Sequence, residues 1–256
     1  MHLTSWPIVL PAAAGIAAGV AVWGAVHSTS QMFGATLCRT PEGKQIALTF
    51  DDGPNPAITP RLLALLEKRN ARATFFLVGQ FARVCPELVR DIAARGHAIG
   101  NHTETHANLA LASPRRIEQE LARCQQSVAG ALGLGAEGLP RWMRPPFGYR
   151  RPGVFSAARR AGLSGVVMWS LMVYDWKPQP PERLIARLAS VAERQASPSS
   201  RAGGEIVLLH DGDFRGLGAD QSHVLIALEY WLPRWHDAGF EFVTIDQVAG
   251  ARAKTA

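Results

Sequence analysis

Along most of the chain, apolar positions come in two alternating patterns. Short runs rich in β-branched and aromatic residues, at 46–50, 73–78, 97–100, 142–144, 165–169, 205–209 and 240–245, read as strands. Between them the apolar positions change to helical spacing. Thr59-Pro60 is expected to cap a helix carrying Leu62, Leu63, Leu65 and Leu66, and residues 86–95 form another that stops at Gly96. Ser113-Pro114 opens a long helix whose Ile117, Leu121, Cys124 and Val128 share one face. Residues 181–191 and 222–238 supply two more; the second ends at Gly239, with a kink expected at Pro233. Residues 195–204, rich in Ser, Ala and Gly, read as a flexible surface loop.

Strands alternating with helices imply a parallel sheet, either closed as an α/β barrel or open and doubly wound. Candidate polar residues decide between the two. Asp51, Asp52, His102, Arg144, Asp175 and His210 fall at or just after the C-terminal ends of predicted strands, five strands in all. Barrel enzymes build their sites on that rim, whereas an open sheet concentrates its site at one switch point. The expected fold is therefore an α/β barrel of about seven parallel strands.

The N-terminal residues behave differently. Residues 6–26 contain no charged side chain and are about long enough to span a bilayer, although rich in Ala and Gly. No Lys or Arg precedes Arg39, so the basic start of a signal peptide is missing. The segment reads as a hydrophobic helix serving as a membrane anchor, with a cleaved signal or a soluble segment as alternatives. Residues 1–41 are then anchor and polar linker, residues 42–256 the catalytic domain, and the protein is membrane-anchored or extracytoplasmic.

Composition narrows the field. With 47% hydrophobic and 19% charged residues the chain is globular rather than disordered. A net charge of +6 suits an anionic partner, but the arginines are scattered with no basic run among aromatics, so nucleic acid is not expected. Three cysteines, Cys38, Cys85 and Cys124, without a C-x-x-C pair, give neither a disulfide framework nor a thiolate metal site.

The chemistry centres on residues 48–54, where a strand runs into Asp51 and Asp52 and then a Gly-Pro turn. Two adjacent carboxylates cost electrostatic energy unless a cation or hydrogen-bond donors offset it. His102 and His106, four apart, can converge with one Asp on a metal and leave positions open, which frees the other Asp to act on metal-activated water. His2, His27, His97, His223 and His236 are read as non-ligands, and Glu104 as solvated.

Five motifs in order, Thr49-Phe50-Asp51-Asp52-Gly53-Pro54, His102-Thr-Glu-Thr-His106, Arg144-Pro-Pro-Phe147-Gly148, Asp175-Trp176 and Leu208-Leu209-His210, resemble the polysaccharide deacetylase family, the NodB homology domain of carbohydrate esterase family 4. The resemblance covers about residues 44–249. It implies a distorted (β/α) barrel with seven strands, a divalent metal, and removal of acetyl groups from N-acetylated, less often O-acetylated, sugar polymers. In that reading Asp52, His102 and His106 hold the metal and Asp51 is the general base, kept ionised by Arg144. The Phe147 N–H stabilises the oxyanion, and Phe147 also borders the substrate. His210 is the general acid, oriented by Asp175. Leu208 lines an acetyl pocket and Trp176 a groove wall. Zn²⁺ is the first choice for two His and one Asp, with Co²⁺, Ni²⁺ or Mn²⁺ compatible. One departure is Met172, where the family commonly has an acidic residue three positions before the Asp of Asp-Trp. No separate carbohydrate-binding module is expected after the last strand. Two other readings compete. A non-haem iron oxygenase uses two His and one carboxylate, but needs no Asp51 and leaves Asp175 and His210 unexplained. A non-catalytic sugar-binding barrel would need none of the proposed acids and bases.

Overall fold

β2 (Gln45–Gly53) is the axis of the molecule: every residue from Ile46 onward is buried. In this computed structural model, which describes residues 15, 18–133, 139–196 and 203–255, β2 pairs in parallel with β3 (Ala73–Leu77) on one side and with β8 (Glu205–His210) on the other. Beyond β3 lie β4 (Ala98–Asn101), β5 (Trp142–Met143), β6 (Gly165–Val167) and β1 (Thr36–Leu37); beyond β8 lies β7 (Leu171–Met172). β9 (Glu241–Phe242) pairs with the first two residues of β2, on the edge that β3 takes over further along. All these pairings are parallel.

The sheet curls but does not close through a continuous ladder. β6 and β7 are consecutive in sequence yet stand towards opposite ends of the strand order. The chain crosses between them at Met168–Ser170. There the Met168 N–H donates to Leu37 O (2.8 Å) and the Ser170 N–H to Ile206 O (3.1 Å), while Arg39 bridges to Glu205. A distorted barrel of parallel strands is thus the fold, with two-residue strands at its seam.

Strand alternation separates two cores. Leu48, Phe50, Phe75, Val207 and Leu209 face outward against α2 (Thr59–Lys68), α4 (Pro86–Ala94), α7 (Pro181–Leu188) and α9 (Ser222–Asp237). The intervening Ala47, Phe76, Ile206 and Leu208 belong to the second cluster, which includes α5 (Pro114–Leu132) and α6 (Pro152–Arg160) through Ile117, Leu121, Val154 and Ala157. The same period of two carries Thr49 and Asp51 on β2, and Leu208 and His210 on β8, to one face, and the register sets Thr49 beside Leu208 and Asp51 beside His210.

Several local expectations change. Residues 27–41, read as linker, carry β1, which pairs with β6. Thr59 is not a helix cap: Ile58 takes that position, and the Thr59 hydroxyl instead accepts from Asn55 N–H and donates to Asp211. The Ser113 cap is present, its hydroxyl accepting from Arg116 N–H at 3.2 Å. α8 (Ser190–Ala196) occupies the start of the predicted loop 195–204, whose residues 197–202 lie outside the described residues. α3 (Gly79–Val84) and α10 (Ile245–Thr255) complete the described helices together with α1 (residues 18–26). Of the uncharged stretch 6–26, only residues 15 and 18–26 are described, and no described helix is long and apolar enough to cross a membrane.

Candidate metal centre and catalytic cleft

On an unbroken strand, Asp51 and Asp52 would point to opposite faces. Here the register with β3 slips between Asp51 and Gly53, so Asp52 is the extra residue of a bulge, with φ of 68°. Both carboxylates consequently line one cavity of about 510 Å³ at the C-terminal end of the strands. Room for the bulge depends on two glycines: a Cβ at Gly53 would collide with the Asp211 carboxylate, and one at Gly212 with the Asp52 carbonyl.

Positive φ recurs around this rim. Among the described residues six non-glycines adopt it, and five of them, Asp52, Thr103, His106, Phe147 and Tyr174, lie in the segments that frame the cavity. Such backbone is costly, and it concentrates where side chains must be aimed.

His102 and His106 follow β4 in a loop, not a helix. Their Nε2 atoms stand 3.3 and 3.2 Å from Asp52 Oδ1. Neither contact has hydrogen-bond geometry, so Oδ1 is a buried acceptor with no donor. His102 Nδ1 lies 2.8 Å from the Arg144 carbonyl, which can only accept; the proton belongs on Nδ1 and the Nε2 lone pair turns to the cavity. Burial keeps His106 below its ordinary value, hence neutral. Three ligand atoms, one anionic oxygen and two imidazole nitrogens, lie within 4.8 Å of one another. This donor set fits a divalent metal with positions left open.

Asp51 faces a different environment. Its Oδ1 accepts from Arg144 Nη1 at 2.8 Å, and its Oδ2 lies 3.8 Å from His102 Nε2. Arg144, fully buried, also donates to Thr49 Oγ1 (2.8 Å) and to the Met168 carbonyl (3.2 Å), and its guanidinium lies over the Phe76 ring at 4.3 Å. Across the cavity, Asp175 grips His210 twice: Oδ2 takes the His210 backbone N–H at 2.7 Å and Oδ1 meets ring Nδ1 at 2.9 Å. Burial alone would lower the His210 pKa; Asp175 overrides it and raises the imidazole to about 9. His223 fixes the other end of Asp175, with Nε2 2.8 Å from its carbonyl.

The predicted substrate residues Leu208, Phe147 and Trp176 all line the cavity, with Trp176 edge-on to His210 at 6.1 Å and Met172 nearby on the wall. Glu104 corrects an expectation. It is buried rather than solvated, turned away from its histidine neighbours to bond Ser127 (2.9 Å) and Arg83. Thr103, between His102 and Glu104, has a positive φ of 68°.

Residues that sequence reasoning passed over also shape the cleft. Phe214 stacks on the His106 ring at 4.1 Å, and Phe147 meets the same ring edge-on at 4.7 Å. Asp211, directly after His210, is buried with its carboxyl pushed up to about 7 by burial, with Asp52 and Asp51 adding repulsion. Its position two residues past the predicted strand 205–209 is the one available signal.

Comparison with known proteins adds a consistent set of relatives. The sequence matches the polysaccharide deacetylase family over residues 39–166. A chitooligosaccharide deacetylase of Bradyrhizobium sp. (strain ANU 289) is 32% identical over 211 residues, 80% of this chain and 90% of the relative. A peptidoglycan-N-acetylglucosamine deacetylase of Bacillus cereus is 34% identical over 212 residues, 80% and 88% of the two chains. A crystal structure of a peptidoglycan N-acetylglucosamine deacetylase superposes with a TM-score of 0.70 at 28% identity, covering 83% of this chain and 91% of that one.

Proposed function

The chain belongs to the polysaccharide deacetylase family, and from that membership we propose that it hydrolyses the acetamide of N-acetylated sugar polymers, using a divalent metal held by Asp52, His102 and His106. The observation that carries this reading is the division of labour created by the bulge. One carboxylate meets two imidazoles and its neighbour meets a buried guanidinium, both facing one cavity. A bound divalent ion supplies Lewis acidity, lowering the pKa of water towards about 7 and polarising a carbonyl.

The remaining work falls to the protein. With Oδ1 of Asp51 occupied by Arg144, Oδ2 is the oxygen left to accept a proton from the attacking water. Arg144 donates to Asp51 Oδ1 and sets a fixed cation beside that carboxylate. The oxyanion needs a donor, which the family resemblance assigns to the backbone N–H of Phe147, carried on the stiff Pro145-Pro146 turn. His210, with Nδ1 committed to Asp175, carries on Nε2 the proton that the departing amine requires. Leu208 faces the acetyl methyl, and Trp176 flanks the sugar. An iron oxygenase would have no use for the Arg144–Asp51 and Asp175–His210 pairs.

The test is acetate release from N-acetylated chitooligosaccharides, peptidoglycan fragments and acetylated xylan, before and after chelation and on re-addition of Zn²⁺, Co²⁺, Ni²⁺ or Mn²⁺. Turnover should vanish with the metal and return with at least one of these ions. Full turnover by protein free of metal would overturn the mechanism. We further read residues 6–26, uncharged throughout, as a membrane anchor that holds the cleft outside the cytoplasm.

A further inference from the structure

The cleft has a wall that no catalytic motif supplies. Val26, the last residue of α1, lines the cavity together with Phe147, Tyr149 and Trp176. Neither an anchor nor a linker requires such a contact, so something other than tethering must hold α1 in place.

That attachment is Arg150, two residues beyond the Phe147-Gly148 turn and 1% exposed. Its backbone N–H donates to Ala25 O at 3.1 Å. Its guanidinium donates from Nη2 to Gly24 O (3.3 Å) and His27 O, and from Nη1 to Ser28 O (3.2 Å) and Ser30 O (3.4 Å). A helix leaves its last carbonyls without intrahelical partners, and its C-terminal end favours a cation. Arg150 meets both needs, and all five of these acceptors are backbone carbonyls of the single segment 24–30. Burying a guanidinium carries a desolvation cost that only such hydrogen bonds offset. The turn after α1 is packed down as well, since a Cβ at Gly24 would strike Met32. One residue thus ties the end of α1 to the loop that bears Phe147.

We propose that α1 is a fixed wall of the substrate cleft, held by Arg150 as a positioning residue, and that Val26 contacts the sugar units flanking the one that reacts. Val26 is 48% exposed, which puts it at the mouth of the cavity and not beside the buried Asp51 and His210. With Tyr149 and Trp176 it offers an apolar surface to the faces of pyranose rings. The wall therefore acts on polymer binding and leaves the bond-breaking step alone.

This rests on the deacetylase reading, and the experiment separates the two. Full-length Val26→Trp, Val26→Ala and Arg150→Met proteins are assayed on an N-acetylglucosamine tetramer and on a small aryl acetate, alongside thermal unfolding and metal content. Val26→Trp should raise KM for the tetramer about tenfold with kcat nearly unchanged, because a side chain at the rim alters uniform binding. Its aryl acetate rate should fall far less than its kcat/KM on the tetramer, with metal content as in the wild type. Arg150→Met should show the same KM-selective loss, and Arg150→Lys, which keeps the charge, should recover part of it. Should Arg150→Met fail to fold, the half-exposed Val26 decides. Tetramer KM unchanged in both Val26 variants would overturn the proposal, as would equal losses on tetramer and aryl acetate. A wild type that releases no acetate from any N-acetylated oligomer would instead overturn the deacetylase reading.

Discussion

At the scale of single residues, the two adjacent aspartates make the sharpest contrast. Asp51→Asn should leave metal content unchanged and cost about 10²–10⁴ in kcat, the usual worth of a positioned base. Asp52→Asn should instead weaken metal binding, seen by elemental analysis or competitive chelation, since its Oδ1 faces two imidazole nitrogens. His210 allows a test by pH. Its folded pKa of about 9 exceeds the ordinary 6.5, so its acid form persists through neutrality and is lost as pH rises through about 9. Activity on an N-acetyl sugar should therefore show an alkaline limb near that value. Asp175→Asn removes the anion that raises it, so the limb should move to lower pH. The charged pair also contributes stability that is complete below about 6.5 and lost as pH rises through about 9. All these side chains were legible in the sequence because each sits in a short motif at a predicted strand end. What the residues alone could not show was how two neighbours on a strand share a cavity. The bulge at Asp52 and the packing of Gly53 and Gly212 against Asp211 and Asp52 are three-dimensional facts with no periodic signature.

Among the elements, legibility followed length. β2, β3 and β8 are long enough for period-two patterning and stand where the apolar runs put them. β1 and β7, two residues each, are too short to show a period and stand at the two ends of the strand order, where tertiary contacts decide pairing, while the equally short β5 and β9 lie within the longer apolar runs 142–144 and 240–245. Glu104 escaped for a related reason: in a polar pentapeptide nothing marks which side chain turns inward. Between elements, the junction of β3 and β4 carries a pH-sensitive contact. His97 is buried, accepts from Ala73 N–H at 3.2 Å and stands edge-on to Phe75. Burial, with Arg72 and Arg95 adding repulsion, lowers its pKa to about 4. The unfolded chain, with the ordinary value near 6.5, takes up that proton first, so stability falls as pH drops from about 6.5 to about 4. Urea unfolding at pH 7 and pH 4.5 should show this loss, and His97→Gln should reduce the difference between the two.

For the molecule as a whole, the boundary between the N-terminal segment and the domain is where sequence and structure part. The uncharged stretch 6–26 invites a cut near Thr40, yet that cut removes β1, the Val26 wall and the carbonyls of Gly24, His27, Ser28 and Ser30 that the Arg150 guanidinium binds. A chain starting at Thr40 should leave the membrane fraction but unfold at lower temperature than the full-length protein and bind oligosaccharides more weakly. Retention of full-length stability and tetramer KM would show that residues 1–39 serve only as a tether.

Arg144 gives one residue two attachments. Its guanidinium holds Asp51, while its carbonyl takes the Nδ1–H of His102. Asp51, the proposed base, and His102, a proposed metal ligand, thus both hang from Arg144. Energetically, substitutions at Asp51 and His102 should not add: the double variant should lose less than the sum of the singles, because each disturbs a framework that the other shares. A displacement of the Arg144 peptide unit would therefore be felt at both side chains at once, whereas Asp51→Asn, which leaves that unit in place, would be felt at Asp51 alone.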